Sequence, residues 1–270
     1  MHKHYKLKKI HMDDEQIVIV ENISPVVENK TNGLSVPTAI IIAGLMIAIS
    51  IFATFGHFGG NDGVKTIAQR AGLNISKFNT CLASNKYDAK ITAMHKEGEA
   101  IGIDGTPFSV IIAKDGTKVP VVGAQEYNTF KGIIDGLPKV PTLDPRLAAY
   151  HLDKVSPVDP TEHIFGNPNA DIKIVEYSDT ECPFCKRIEP TLKKLVADYD
   201  GKVAWVYRHF PLDCNDSVDP SCQTLHAKSR HEAVATECAG EQKGNDGFWK
   251  YIDALYTATP SNDGFDAQML

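Results

Sequence analysis

Three absences narrow the class of this chain before any motif is read. It lacks an excess of positive charge: 28 Lys and Arg stand against 34 Asp and Glu, a formal net charge of −6 in 270 residues, with both signs mixed. That excludes the basic stripe a nucleic-acid surface needs. It lacks a second Cys-x-x-Cys. Of its six cysteines only Cys182 and Cys185 have that spacing, and a zinc ribbon needs two such pairs. His209, His226 and His231 fall in no His-x3-His pattern, so they read as surface or capping residues, and neither a metal nor another cofactor is expected. The third absence is local: from Thr31 to Asn61 there is no Asp, Glu, Lys or Arg.

That uncharged run holds a nearly pure stretch of Ile, Ala, Leu, Met and Phe from Ala39 to Phe55. About 20 apolar residues span a bilayer, so residues 36–56 read as one transmembrane helix rather than a buried core helix. Some 35 residues precede it, which is long for the charged leader of a cleaved signal peptide. Residues 1–35 are polar, open with Lys3, Lys6, Lys8 and Lys9, and read as a disordered tail. The expected orientation is N-terminus inside, with residues 57–270 outside the cytoplasmic membrane, where disulfide chemistry persists. An apolar fraction of 43% over the chain is enough for a true core in that outer part.

The outer part is organised around Val175 to Cys185. Ile172, Ile174 and Val175 supply a β-branched strand. Ser178 and Asp179 break it. From Lys186 to Tyr199 the apolar residues Ile188, Leu192, Leu195 and Val196 recur at helical spacing. Cys182 therefore sits at a helix N-terminus, where free N–H groups and the macrodipole favour a thiolate. Cys185, one turn on, can attack a mixed disulfide formed at Cys182.

Glu176-Tyr177-Ser178-Asp179 followed by Cys182-Pro183-Phe184-Cys185 resembles the active-site segment of DsbA-like thiol oxidoreductases of the thioredoxin-fold superfamily. Gly166-Asn167-Pro168-Asn169-Ala170 before the strand and Tyr207-Arg208-His209-Phe210-Pro211 after the next are similar to that family too. The resemblance implies a protein-disulfide oxidoreductase whose substrates are cysteine-containing proteins and whose re-oxidising partner is a membrane quinone-linked enzyme of DsbB type. It implies a cis-proline loop at Gly105-Thr106-Pro107-Phe108, with Thr106 offering its backbone to an extended substrate beside Pro183 and Phe184. It also implies that Glu176 accepts the proton of Cys185; the other reading of Glu176 is a side chain facing solvent at the strand end. Pro-Phe between the cysteines lacks the histidine of strongly oxidising members, so an intermediate potential is expected, with a Cys182 pKa above the extreme of about 3.5.

The elements come in an unfamiliar order. Residues 64–136 carry what the family places second: helices, the proline loop, a strand from Ser109 to Ala113, a turn at Lys114-Asp115-Gly116-Thr117, a strand from Val119 to Val122, and a helix from Gln125 to Ile134. Residues 165–270 carry what it places first: the cysteine segment, a strand from Val203 to Tyr207, and helices at 226–240 and 248–258. Between them, residues 137–164 contain Pro138, Pro141, Pro145, Pro157 and Pro160 and read as a stiff linker. The expected fold is α/β: a thioredoxin-like fold with an inserted helical subdomain, circularly permuted, after one membrane helix. Exchange of halves between two chains, or a rearranged coding sequence, would give the same order.

Cys214 and Cys222 lie in a polar excursion from Leu212 to Thr224 and suit a local disulfide. Cys81 and Cys238, on helices that should pack together, are either a second bridge or two buried thiols. A reductase or isomerase, or a tethered binding module that keeps the cysteines as a structural bridge, are the competing functions.

Overall fold

The computed structural model describes residues 65–138, 145–213, 226–262, 264–265 and 268–270. The tail, the apolar stretch 36–56, and Cys214 with Cys222 lie outside the described residues. Among the described residues no helix is long and apolar enough to cross a membrane.

Three helices open the domain. The first, α1 (Ile67–Arg70), starts with a reciprocal cap: Thr66 accepts the Gln69 N–H while the Gln69 side chain accepts the Thr66 N–H. Next, α2 (Ile75–Leu82) is capped by the Asn74 side chain. Then α3 (Asp88–Ile101) stops at Gly102, whose φ of 93° suits only a residue without a Cβ. A hairpin comes next, β1 (Phe108–Ile112) and β2 (Lys118–Val122), its turn held by the Asp115 carboxylate accepting the Thr117 N–H. After it come α4 (Tyr127–Gly136), two short 3₁₀ turns (Pro145–Ala149 and Leu152–Lys154), β3 (His163–Gly166), β4 (Ile172–Ser178), α5 (Pro183–Asp198), β5 (Val203–His209) and α6 (Ser229–Ala258). The last is two helices meeting at Lys243 and Gly244, where the backbone leaves helical geometry.

The five strands form one sheet in the order β2-β1-β4-β5-β3. Only β4 and β5 are parallel; β1 runs antiparallel to both β4 and β2, and β3 antiparallel to β5. Strand alternation gives the sheet two buried faces. On one, Ile111, Val119, Ile174, Val203, Trp205 and Tyr207 pack with the apolar residues of α5 and α6. On the other, Phe108, Val110, Val175, Tyr177 and Val206 pack with Ile101 and Ile103 at and beyond the end of α3 and with Val155. Each fully buried residue such as Leu192 or Ile174 contributes about 1.5–3 kcal/mol, which is why the helix–sheet–helix sandwich forms around β4 and β5.

The stretch expected to be a linker is corrected in its second half. From Tyr150 onward it is bound to the domain: His151 donates its N–H to the Ile101 carbonyl, Lys118 reaches the Leu152 and Val155 carbonyls, and Tyr150 packs on Phe108. It ends in β3, an edge strand with no signature in the sequence pattern. The prolines shape this path, but Tyr150, Leu152 and Val155 between them have apolar surface to bury.

Two further ties join residues far apart in sequence. Cys81 on α2 and Cys238 on α6 form a disulfide across 157 residues. At the buried Glu237 carboxylate of α6, Lys90 of α3 stands at 2.7 Å, His163 of β3 at 3.0 Å and His209 of β5 at 3.3 Å. Burial alone would raise the Glu237 carboxyl, but the two imidazoles hold it well below the usual range.

Candidate active site

The turn between β4 and α5 sets the site. Cys182 is the N-cap of α5, with extended backbone, and Pro183 takes the first helical position, where a missing N–H costs nothing. The helix thus begins at the cysteine, and its first N–H groups point at the sulfur. Cys185, 1% exposed, lies one turn on against the sheet. Both are free thiols.

Opposite them stands the turn from the earlier half of the chain. The Thr106–Pro107 peptide is cis, and the Cys182 thiol lies 3.4 Å from the Thr106 carbonyl as its donor. Pairing of β1 with β4 fixes this meeting, because Phe108 is in register with Tyr177 and Ser109 with Glu176.

The two thiols differ sharply in acidity. The Cys185 thiol donating to its sulfur is the largest influence on Cys182; burial opposes it, and the Thr106 side chain with the Cys185 and Phe184 N–H groups adds to it. Together they pull Cys182 from 9.0 to about 6. Burial pushes Cys185 well above its ordinary value, and the neighbouring Cys182 and Glu176 push the same way. One sulfur is poised to attack at neutral pH while the other holds its proton.

Glu176 is 1% exposed, which removes the solvent-facing reading. Neither carboxylate oxygen has a hydrogen-bond partner, and burial first, then Glu189 and Cys182, raise it to about 8 despite some relief from Ser178 and Trp205. It is a neutral acid at pH 7, beneath the cysteines. Ser109, also buried and unpartnered, lies beside it on β1. Phe184, half exposed with the Arg187 guanidinium 4.9 Å from its ring, and Val122 at the end of β2 are the large apolar side chains left exposed among the described residues. Val122 carries no functional signal in sequence, where it is only the end of a strand.

Two histidines expected at the surface or at caps are buried instead: His209 in the Glu237 cluster and His226 beside Asp179. Asp179, in sequence only a strand breaker, is the hub of the turn. Its carboxylate accepts the Glu181 and Leu212 N–H groups, both at 2.7 Å. The signal that could have found it is its place, a short acidic residue just before a helix. Among the described residues no group of His, Cys, Asp and Glu is arranged to hold a metal ion.

Residues 49–135 match the family model described as a DSBA-like thioredoxin domain, and residues 158–263 match one described as thioredoxin. Among curated proteins the chain is 36% identical over 105 residues to the Na(+)/H(+) antiporter NhaA 3 of Salinispora tropica, and 34% identical over 105 residues to the Na(+)/H(+) antiporter NhaA 1 of Salinispora arenicola. Each alignment covers 38% of this chain, which spans only 14% of the length of either antiporter. Among solved structures, DsbA2 of Pseudomonas aeruginosa is 36% identical over 40% of this chain and 54% of that one, with a TM-score of 0.34. With the strand, turn and cysteine arrangement of this site, the two family matches support a DsbA-like thioredoxin-fold domain over the segments they cover.

Proposed function

We propose that the protein is an extracytoplasmic, membrane-anchored thiol:disulfide oxidoreductase working through Cys182 and Cys185. The observation that carries the reading is the 3.4 Å approach of the Cys182 sulfur to the Thr106 carbonyl, above a buried, proton-holding Cys185. An extended substrate pairing with the Thr106 backbone would lay its own cysteine against Cys182, and the exposed Phe184 and Val122 favour apolar neighbours around it.

In the oxidising direction a substrate thiolate attacks the Cys182 sulfur of the Cys182–Cys185 disulfide. Cys185 leaves as a thiolate and takes a proton from Glu176, whose raised pKa keeps that proton available. A second substrate thiolate attacks the substrate sulfur of the mixed disulfide, Cys182 leaves as a thiolate, and two electrons have moved from substrate to the pair. A membrane quinone-linked re-oxidase of DsbB type would accept them.

Anchoring through residues 36–56 is part of the same proposal. It is supported by the uncharged run and by the Cys81–Cys238 disulfide, since such bonds persist in oxidising compartments. Circular permutation accounts for the order of the halves. It is supported by a sheet that takes β1 and β2 from one half and β4 and β5 from the other. It is also supported by residues 269–270 lying against α1, where the Ile67 and Ala68 N–H groups donate to the Met269 and Leu270 carbonyls at 2.9 and 2.6 Å.

The test is oxidation of reduced ribonuclease and reduction of insulin by the full chain, with Cys182→Ser as control. Activity in wild type and its loss in C182S supports the proposal; no activity in either assay overturns it in favour of a binding module.

A further inference from the structure

We infer that Asp179 and His226 are a positioning pair: Asp179 fixes the turn that carries both cysteines, and the charge of His226 on that turn favours the thiolate of Cys182. This deepens the redox reading of the site and rests on it.

Asp179 touches both sulfur-bearing residues through its backbone. Its N–H donates to the Cys185 sulfur at 3.4 Å, and its carbonyl accepts the Cys182 N–H at 3.2 Å and the Tyr256 hydroxyl at 3.4 Å. Its side chain, 1% exposed, is held from the other direction by the Glu181 and Leu212 N–H groups. A carboxylate this deep needs a countercharge, and His226 Nδ1 stands 3.0 Å from Oδ2. The ring is off the line of a good hydrogen bond, so the contact is one of charge. His226 is itself 5% exposed and fixed in place: its N–H donates to the Leu212 carbonyl and its carbonyl accepts the Ser229 hydroxyl.

The groups that face His226 are Asp179 and Glu181 of the turn and Cys182 at the head of α5. Burial works against the imidazolium, but these three raise its pKa, Asp179 most. Two nearby cations are engaged elsewhere: Lys186 on the Thr259 carbonyl and Arg230 on Asp213 and Thr92. The linkage is reciprocal. If the Cys182 thiolate favours the cation, the cation favours the thiolate, and so stabilises the dithiol over the disulfide and makes the pair a stronger oxidant.

The experiment compares wild type, His226→Gln, His226→Lys and Asp179→Asn as full chains, equilibrated with glutathione and titrated for thiolate absorbance at 240 nm, with C182S as blank. Neither measurement needs substrate turnover, so a wild type inactive on insulin and ribonuclease defeats the redox reading, while these titrations judge the pair separately. Expected for H226Q is a three- to tenfold shift of the glutathione equilibrium toward the disulfide, tenfold being about 30 mV, with a higher Cys182 midpoint; H226K restores most of both. D179N, which loosens the turn as well, shifts at least as far as H226Q. An equilibrium and midpoint unchanged within twofold in a folded H226Q, or an H226K that behaves as H226Q does, overturns the inference. Should H226Q fail to fold, H226K decides alone: a wild-type equilibrium supports the pair, a displaced one refutes it.

Discussion

Glu176 shows in its acidity what burial of a carboxyl costs. Its folded pKa of about 8 lies above the ordinary 4.5 because burial penalises the anion. The folded state therefore binds more protons than the unfolded one between pH 4.5 and 8, and this group's contribution to stability falls as pH rises through that window. Glu176→Gln removes the penalty. Urea unfolding of E176Q and wild type should coincide near pH 4 and diverge progressively as pH rises from about 4.5 to about 8, with the variant more stable by a few kcal/mol near pH 9. The same substitution removes the proton donor proposed for Cys185, so ribonuclease oxidation at pH 7 should fall by about 10²-fold. A variant slower but no more stable at high pH would mean that Glu176 is not held as a buried acid. Residue chemistry of this kind is half legible in sequence. A carboxylate on an apolar strand signals itself, whereas Asp179, His209 and His226 do not: the partners that make them matter, such as Glu237 for His209, sit tens of residues away.

At the scale of elements, the strongest local patterns agree with the structure. The β-branched run of β4, the apolar stripe of α5 and the Asp-Gly turn of the hairpin are where local propensity and tertiary packing coincide. The edge strand β3 is not legible: four residues after a proline-rich path carry no periodicity, and what makes them a strand is the open edge of β5. The sequence pattern predicts two helices where α6 runs for 30 residues, and the Lys243–Gly244 break makes that division real. The Cys81–Cys238 bridge ties α2 to α6 across a long loop, which most restricts the unfolded chain. Replacing both by alanine should lower unfolding free energy in urea by about 2–5 kcal/mol while leaving the glutathione equilibrium of Cys182 and Cys185 unchanged, because the bridge touches neither sulfur. A shift in that equilibrium would show that the bridge and the site communicate.

For the whole molecule, the sheet is the object that the two halves of the chain build together. Neither β1–β2 nor β4–β5 makes it alone, and the proline turn meets the cysteines only when β1 lies on β4. If the order is a permutation, the joint is free to move. A chain in which residues 145–270 run directly into 65–138 should fold to the same near-ultraviolet circular dichroism and the same glutathione equilibrium. Failure of that chain to fold, with the native order folding well, would count against permutation.

The proposed function requires Cys182 and Cys185 to be a reversible two-electron couple acting on protein thiols. Its most direct measurement is the redox titration of the full chain in glutathione buffers, with the Cys182–Cys185 state read by thiol trapping and mass. The expected result is a single two-electron transition, absent in C182S, at a potential between about −120 mV for the strongest oxidants and about −270 mV for thioredoxin. A pair that never closes to a disulfide would contradict it outright, and a value at about −270 mV would make the protein a reductase instead.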